Sequence, residues 1–388
     1  MKTAPSSFAR PLLASWAILS ICALSIAGCG TNNSSGNTLK VGVIYSLSGD
    51  QASLDESSLK GAELAAEYVN THGGINGTPI SLEVRDAATS ATETLKQAQE
   101  LFQQEGVSLV VGLSDTDLAF PVAKLSEELG KIFITSGATG PILTKGGPHS
   151  TFLACFSDES QAMAASDYAR RRLRARSALI VYDQGSQYAE TLSQSFSKGF
   201  TTSGGMISSR FAFTVETINE SALRNELKRT NPDMVFLAAQ PDEVARIIAA
   251  LRSSGFTKPI VGGDSYDSTP VYNLTTAEKT NVYFSTHVLL TPSSTNPEIE
   301  RFIELYRSHY GEAPTSAFAA LGYDAVRIAS LALSRAGSTD PGAIRSAIES
   351  IRQYAGVTGT ISYAPNQHIP QKDVTIVTFE NGGPVRAR

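Results

Sequence analysis

Glycines, hydroxyls and carboxylates gather at three turns of this chain. Gly112-Leu113-Ser114-Asp115-Thr116 and Ser136-Gly137-Ala138-Thr139-Gly140-Pro141 each follow an apolar run, and Gly262-Gly263-Asp264 closes a third. Hydroxyls and free backbone N–H groups at helix starts suit an anion such as a carboxylate. Tyr182-Asp183, leading into Gln187-Tyr188, adds an aromatic ring and an acid. An acid and a ring on one side facing hydroxyls on the other would hold a zwitterion. Taken singly, each of these residues is an ordinary cap or turn residue; as a set they favour a binding site.

Signatures of bond-making chemistry are absent from the sequence. The glycine-rich nucleotide fingerprints and Gly-x-Ser-x-Gly do not occur. The five histidines (72, 149, 287, 309 and 368) lack the short spacing of a zinc site, and there is no Cys-x-x-Cys. The reading is therefore of a protein that is not an enzyme and takes no cofactor and no metal. A net charge of −5 gives no reason to expect nucleic acid. The one dense basic cluster, Arg170-Arg171-Arg172 with Arg174 and Arg176, reads as the C-terminal end of a helix, where cations complement the dipole.

The elements that must position these turns alternate along the chain. Strands are expected at Leu39–Tyr45, Ile80–Arg85, Val107–Val111 and Lys131–Thr135, then at Ser177–Tyr182, Met206–Phe213, Met234–Ala238 and Ile260–Gly263. Helices are expected between them; in Ser57–Val69, for example, Leu59, Ala62, Ala66 and Val69 share one face. Strands alternating with helices of 10–15 residues imply parallel sheets covered on both faces. At roughly 150 residues per domain, 388 residues make about two such sets. The tail departs from the rhythm, with helices at Pro297–Tyr310, Ser316–Arg335 and Pro341–Arg352 and then strands at Gly359–Tyr363 and Val374–Phe379. A tail of that kind could serve both lobes.

The N-terminus is an address. A basic start, the apolar stretch Leu12–Ala27 and the small residues that close it form the pattern of a secretory signal. Ile26-Ala27-Gly28-Cys29 resembles a bacterial lipobox, which implies acylation of Cys29 and cleavage before it. Residues 1–28 are then the signal peptide and 29–38 a flexible polar tether. Cys155 would be left as the one cysteine of the folded part, and it reads as a small core residue.

Val41-Gly42-Val43-Ile44-Tyr45-Ser46-Leu47-Ser48-Gly49, Lys60-Gly61-Ala62-Glu63-Leu64-Ala65, Gly73-Gly74-Ile75-Asn76-Gly77, Val110-Val111-Gly112, Ser136-Gly137-Ala138-Thr139, Gly262-Gly263-Asp264 and Tyr323-Asp324-Ala325-Val326 follow one another in order over about residues 39–380. As a set they resemble the solute-binding proteins of ABC importers, of the branched-chain (Leu/Ile/Val) amino-acid type. The resemblance implies an α/β fold of two Rossmann-like lobes joined by three crossovers, the type I periplasmic binding fold. Lobe 1 is expected over 39–157 plus 287–356 and lobe 2 over 158–286 plus 357–388, with crossovers near 157, 286 and 357. It also implies an exported, lipid-anchored monomer that binds a small amino acid or related carboxylate and hands it to permease subunits. The alternative is a ligand-sensing module of the same fold that signals without transport.

Carried over by position, Gly137 offers its carbonyl to the ligand ammonium, and Thr139 its N–H and hydroxyl to the carboxylate. Ser114, Thr116 and Ala138 stand beside them in the same turns. Asp264 receives the ammonium, Tyr188 closes from the second lobe, and Leu54, Leu113 and Phe318 line the side-chain pocket. Three positions depart from the family pattern. Asp115 stands where a carboxylate-binding serine is expected, so either it turns away or the ligand is not an ordinary amino acid. Gln240 stands near the place of a pocket aromatic, and Leu54 replaces a tyrosine.

Overall fold

Continuous apolar runs such as Val41-Gly42-Val43-Ile44-Tyr45 suit strands that are buried on both faces, as parallel sheets require. The computed structural model describes residues 38–144, 149–214, 218–291 and 296–388. The signal-peptide reading, Cys29 and nearly all of the tether lie outside the described residues.

Chain order begins β1 (Leu39–Tyr45), α1 (Ala52–Thr71), β2 (Ile80–Asp86), α2 (Ala91–Gln99), β3 (Leu109–Gly112), α3 (Thr116–Glu128), β4 (Ile132–Thr135) and β5 (Thr151–Leu153). These five strands form an all-parallel sheet in the order β2-β1-β3-β4-β5. The second run is α4 (Asp158–Arg171), β6 (Ser177–Asp183), α5 (Gln187–Thr202), β7 (Met206–Phe213), α6 (Glu220–Thr230), β8 (Met234–Ala238), α7 (Pro241–Ser253) and β9 (Ile260–Gly262). It continues with the single-turn helices α8 (Thr269–Tyr272) and α9 (Thr276–Lys279) and with β10 (Val282–Thr286). The tail holds α10 (Pro297–Tyr310), α11 (Ala317–Ala336), α12 (Pro341–Glu349), β11 (Tyr354–Gly356), β12 (Gly359–Ile361), β13 (Thr375–Glu380) and β14 (Gly383–Arg386). The second sheet runs β14-β13-β10-β9-β8-β6-β7. Its five strands from β6 to β10 repeat the arrangement of the first sheet, and β13 and β14 add an antiparallel edge. The fold is α/β with two parallel-stranded sheets, as the alternation of elements implies.

Helices of the tail return to the first sheet. Ile299, Phe302 and Ile303 of α10, Ala325 and Ala329 of α11 and Ile344 of α12 share a core with Val41, Val43 and Ile134. α11 is long and apolar enough to cross a membrane, but most of it is buried in this core. Helix α4 packs its alanines 162, 165 and 169 with β6 and α5 instead. Val357, Ile361 and Tyr363 also belong to the first core. Tyr363 Oη donates to Leu153 O at 2.6 Å, Leu153 N–H to His368 O at 3.0 Å and Lys372 Nζ to Ala154 O at 2.8 Å. The chain therefore reaches the second sheet only at β13, later than the expected crossover near 357. The physical reason is burial: Ile361 and Tyr363 are apolar and bury against β5, while Val377 of β13 completes the second core.

The arginine cluster ends α4 as expected: Arg170 donates to Ser203 O at 3.1 Å, and Arg171 pairs with Asp167 at 2.6 Å. Cys155 is buried, with its thiol on Ala138 O at 3.3 Å, and burial pushes its pKa up, which disfavours a nucleophilic thiolate.

Candidate functional site

Each parallel sheet reverses its strand order once, between β1 and β3 in the first and between β6 and β8 in the second. Crevices beyond the carboxyl ends of strands at such reversals are where open α/β sheets take ligands. The segments after β3, β4, β8 and β9 hold most of the residues singled out in the sequence.

After β3 the backbone is tightly constrained. Gly112 (φ +148°) passes so close to β1 that an added Cβ would lie 1.8 Å from Ile44 O. Leu113, fully buried, takes φ +60°, a conformation that costs a branched residue energy. It is held there from both sides. Its N–H donates to Ile44 O at 3.0 Å, and its carbonyl accepts from Thr135 Oγ1 at 2.9 Å and Gly137 N–H at 3.2 Å. This kink aims Ser114 and Asp115 into the start of α3.

Asp115 does not turn away. Its Oδ1 caps α3, accepting from the N–H groups of Asp117 at 2.7 Å and Leu118 at 3.0 Å. Its Oδ2 accepts from Gln51 Nε2 at 3.3 Å and, from across the crevice, Gln240 Nε2 at 2.5 Å. Gln240 also reaches Ser186 Oγ at 3.3 Å. Next to it Asp117 sits at the start of α5, taking the Gln187 N–H at 3.0 Å and Ser186 Oγ at 3.3 Å, a favourable place for a negative charge.

A second cluster surrounds Asp264. Tyr188 Oη and Gln161 Nε2 donate to its Oδ1 at 2.9 and 3.0 Å, and His287 Nε2 lies 2.9 Å from Oδ2. Burial lowers the His287 pKa, which favours the neutral ring and a hydrogen bond from an imidazole over an ion pair. Phe156 stacks on the His287 ring at 3.7 Å. Gln161 is the hub: its Oε1 accepts from Asp264 N–H at 3.0 Å and Ser285 Oγ at 2.7 Å. Its Nε2 also meets Asp158 Oδ1 at 3.1 Å. Thr139 joins here, its hydroxyl donated to Asp158 Oδ1 at 2.6 Å.

Of the residues read from sequence, Asp115 and Gln240 are thus brought together, as are Tyr188 and Asp264. Leu54, Leu113, Ala138 and Phe318 share one apolar cluster. Gly137 lies under Phe318 and Ser114, either of which would meet an added Cβ at 2.9 Å. Thr116 and Ser114 stand slightly apart: Thr116 Oγ1 accepts the Gly140 N–H at 3.1 Å, and Ser114 Oγ lies 3.4 Å from Ser58 Oγ. The expected donors to a ligand carboxylate are largely engaged by the chain. Thr139 gives its hydroxyl to Asp158, and the Ala138 N–H goes to Thr135 Oγ1 at 3.0 Å.

Gln51, Asp117, Asp158, Gln161 and His287 were not singled out as site residues. Gln161 and His287 sit 103 and 23 residues from Asp264, and no local pattern joins them. The hint available was positional: Asp158 and Gln161 open a helix just past a crossover.

The profile of the periplasmic binding protein family matches residues 38–384. This chain belongs to that family. Among the relatives of this periplasmic binding protein, a Leu/Ile/Val-binding protein homolog 3 from Brucella melitensis is 27% identical over 346 residues, covering 89% of this chain and 92% of that one. A leucine binding protein LivK from Thermotoga maritima superposes with a TM-score of 0.84 at 27% identity, covering 90% and 98% of the two chains. LivJ of Streptococcus pneumoniae, a branched-chain amino acid transporter substrate binding protein solved with isoleucine, gives 0.82 at 28% identity, covering 90% and 100%. The fold is therefore the type I periplasmic binding fold. Members of the family are extracytoplasmic binding proteins, and this chain is one of them rather than an enzyme.

Buried carboxyls of this periplasmic binding protein contribute to its pH response. Burial raises Asp115 to about 6, Asp55 and Glu243 to about 7 and Asp158 to about 8. The unfolded chain loses these protons near pH 4. From there up to the raised values the folded state binds more protons than the unfolded state, so stability falls as pH rises. The melting temperature is expected to drop by several degrees between pH 6.5 and 8. Asp158→Asn is expected to flatten that slope; a slope unchanged in the variant would show that Asp158 is ionised in the fold.

Proposed function

We propose that this protein is the solute receptor of an ABC importer of the branched-chain amino-acid type, held to the membrane by lipid on Cys29 and acting as a monomer. Its two jaws are residues 39–157 with 287–373 and residues 158–286 with 374–388. They close on a small amino acid or a derivative of one, and the closed form delivers it to the permease subunits. No bond is made or broken.

The observation that carries this reading is that polar side chains from the two sheets meet over one crevice. Asp115 bonds Gln240, Asp117 bonds the start of α5, and Thr139 bonds Asp158. Such contacts exist only when the jaws are shut, so a solute that bridges them favours the closed state by its extra affinity for it. The apolar group Leu54, Leu113 and Phe318 offers a wall for an aliphatic tail. The Leu/Ile/Val-binding relatives support the same ligand class.

Small-angle scattering and thermal unfolding with branched-chain amino acids, their amides and the matching amines test the proposal. A bound solute is expected to shrink the radius of gyration and, at a hundredfold excess over Kd, to stabilise the fold by about 2.7 kcal/mol. In the producing bacterium the wild-type chain is expected in the membrane fraction and Cys29→Ser in the soluble fraction. Scattering and melting that ignore every solute would sink the receptor reading.

A further inference from the structure

We infer that the ligand presents N–H donors, as an amide or amine, and no free carboxylate where the crevice meets the start of α3, with Asp115 as the residue that enforces this choice. The inference rests on the reading of the crevice as the ligand seat and narrows its substrate class. A helix start with open N–H groups would receive a carboxylate. Here the Asp117 and Leu118 N–H groups are closed by the chain's own Asp115 at 2.7 and 3.0 Å. The nearby hydroxyl of Thr139 is likewise spent on Asp158, at 2.6 Å.

Two buried side-chain acceptors remain open beside these groups. Gln51 gives its Nε2 to Asp115, and its buried Oε1 has no hydrogen-bond partner among the described residues. In the neutral ring, His287 donating through Nε2 to Asp264 leaves its buried Nδ1, which has no hydrogen-bond partner among the described residues, as an acceptor. Both are acceptors, and buried polar atoms without partners are strongly disfavoured. The hydrogen-bond partners of Asp115, Asp158 and Asp264 are amides, hydroxyls and an imidazole, none of them lysine or arginine. A ligand carboxylate would add acceptors and negative charge beside Asp115 in a site closed to water. An amide or amine supplies the missing donors.

Calorimetry on the purified receptor, as wild type, Asp115→Ser and Asp115→Asn, with L-leucinamide, isobutylamine, L-leucine and L-isoleucine tests this. Serine and asparagine both cap helices well, so both variants are expected to fold. Wild type is expected to bind L-leucinamide at least about tenfold more tightly than L-leucine. Both substitutions are expected to raise L-leucine affinity by about tenfold or more and to weaken L-leucinamide. Tighter binding of L-leucine by wild type, or a leucine-to-leucinamide ratio that neither substitution moves, overturns the inference and leaves the receptor reading standing. If none of the four solutes binds any of the three forms, both fall.

Discussion

Gly61→Leu is expected to prevent the chain from folding, and Gly61→Ala to cost about 3 kcal/mol, at the upper end for overpacking. Gly61 lies where α1 crosses α11. A Cβ there would sit 1.8 Å from Ala319 O and 3.0 Å from Tyr323 N, and one on Gly322 would sit 1.9 Å from Ser58 O. Both near atoms are backbone, so no rotamer change relieves the clash and the helices must separate. Helix propensity alone argues the other way, since alanine in mid-helix is better than glycine by about 1 kcal/mol. The sign of the measured change decides which effect dominates, and a backbone oxygen at 1.8 Å outweighs propensity. The crossing also brings Leu54 near the start of α1 and Phe318 near the start of α11 into one buried apolar cluster. Urea unfolding midpoints check the prediction; a Gly61→Ala protein as stable as wild type would mean that the two backbones are not in contact.

Asp264→Ala is expected to cost about 3 kcal/mol or more, since it strips the acceptor from Tyr188, Gln161 and His287, all buried. Asp264→Asn separates that structural role from ligand binding. Its oxygen still accepts from two donors, and His287 can carry its proton on Nδ1, which has no partner among the described residues. The asparagine variant is therefore expected to stay folded while removing the carboxylate that the proposed function assigns to a ligand ammonium. A charge-assisted hydrogen bond contributes roughly 1.5–3 kcal/mol, so affinity for an amine-bearing solute such as L-leucinamide is expected to fall about tenfold to a hundredfold. Calorimetry beside denaturant unfolding reads both numbers. Unchanged affinity in Asp264→Asn would assign the residue to the fold alone.

Most long elements were legible because their signals are local. The apolar run Leu39–Tyr45 and the stretch Met206–Phe213 appear as strands with the expected bounds, and Pro297–Tyr310 as the expected helix. β5 escaped notice because three residues, Thr151–Leu153, carry no period; pairing with β4 makes them a strand. The third crossover was misplaced for a related reason. Residues 357–372 read as the approach to a final strand, but Ile361, Tyr363 and Lys372 are held by β5 and its flank, about 200 residues earlier.

At the site, composition and turn chemistry picked out Asp115, Thr139, Tyr188 and Asp264, but not their partners. Gln161 looks like any polar residue in a first helical turn, and its importance comes from touching Asp158, Asp264 and Ser285 together.

The sequence by itself determined the alternation of strands and helices, the turns after β3, β4 and β9, and the family to which those turns belong, because each depends on residues close together in the chain. Tertiary structure alone decided which partners the polar atoms of those turns meet. Asp115 could have faced either way, and it caps α3 because the left-handed Leu113, pinned by Ile44 and Thr135, points the chain there while Gln240 approaches from the other sheet. Hydrogen bonds across such distances in sequence are set by packing, and packing is what local patterns do not encode.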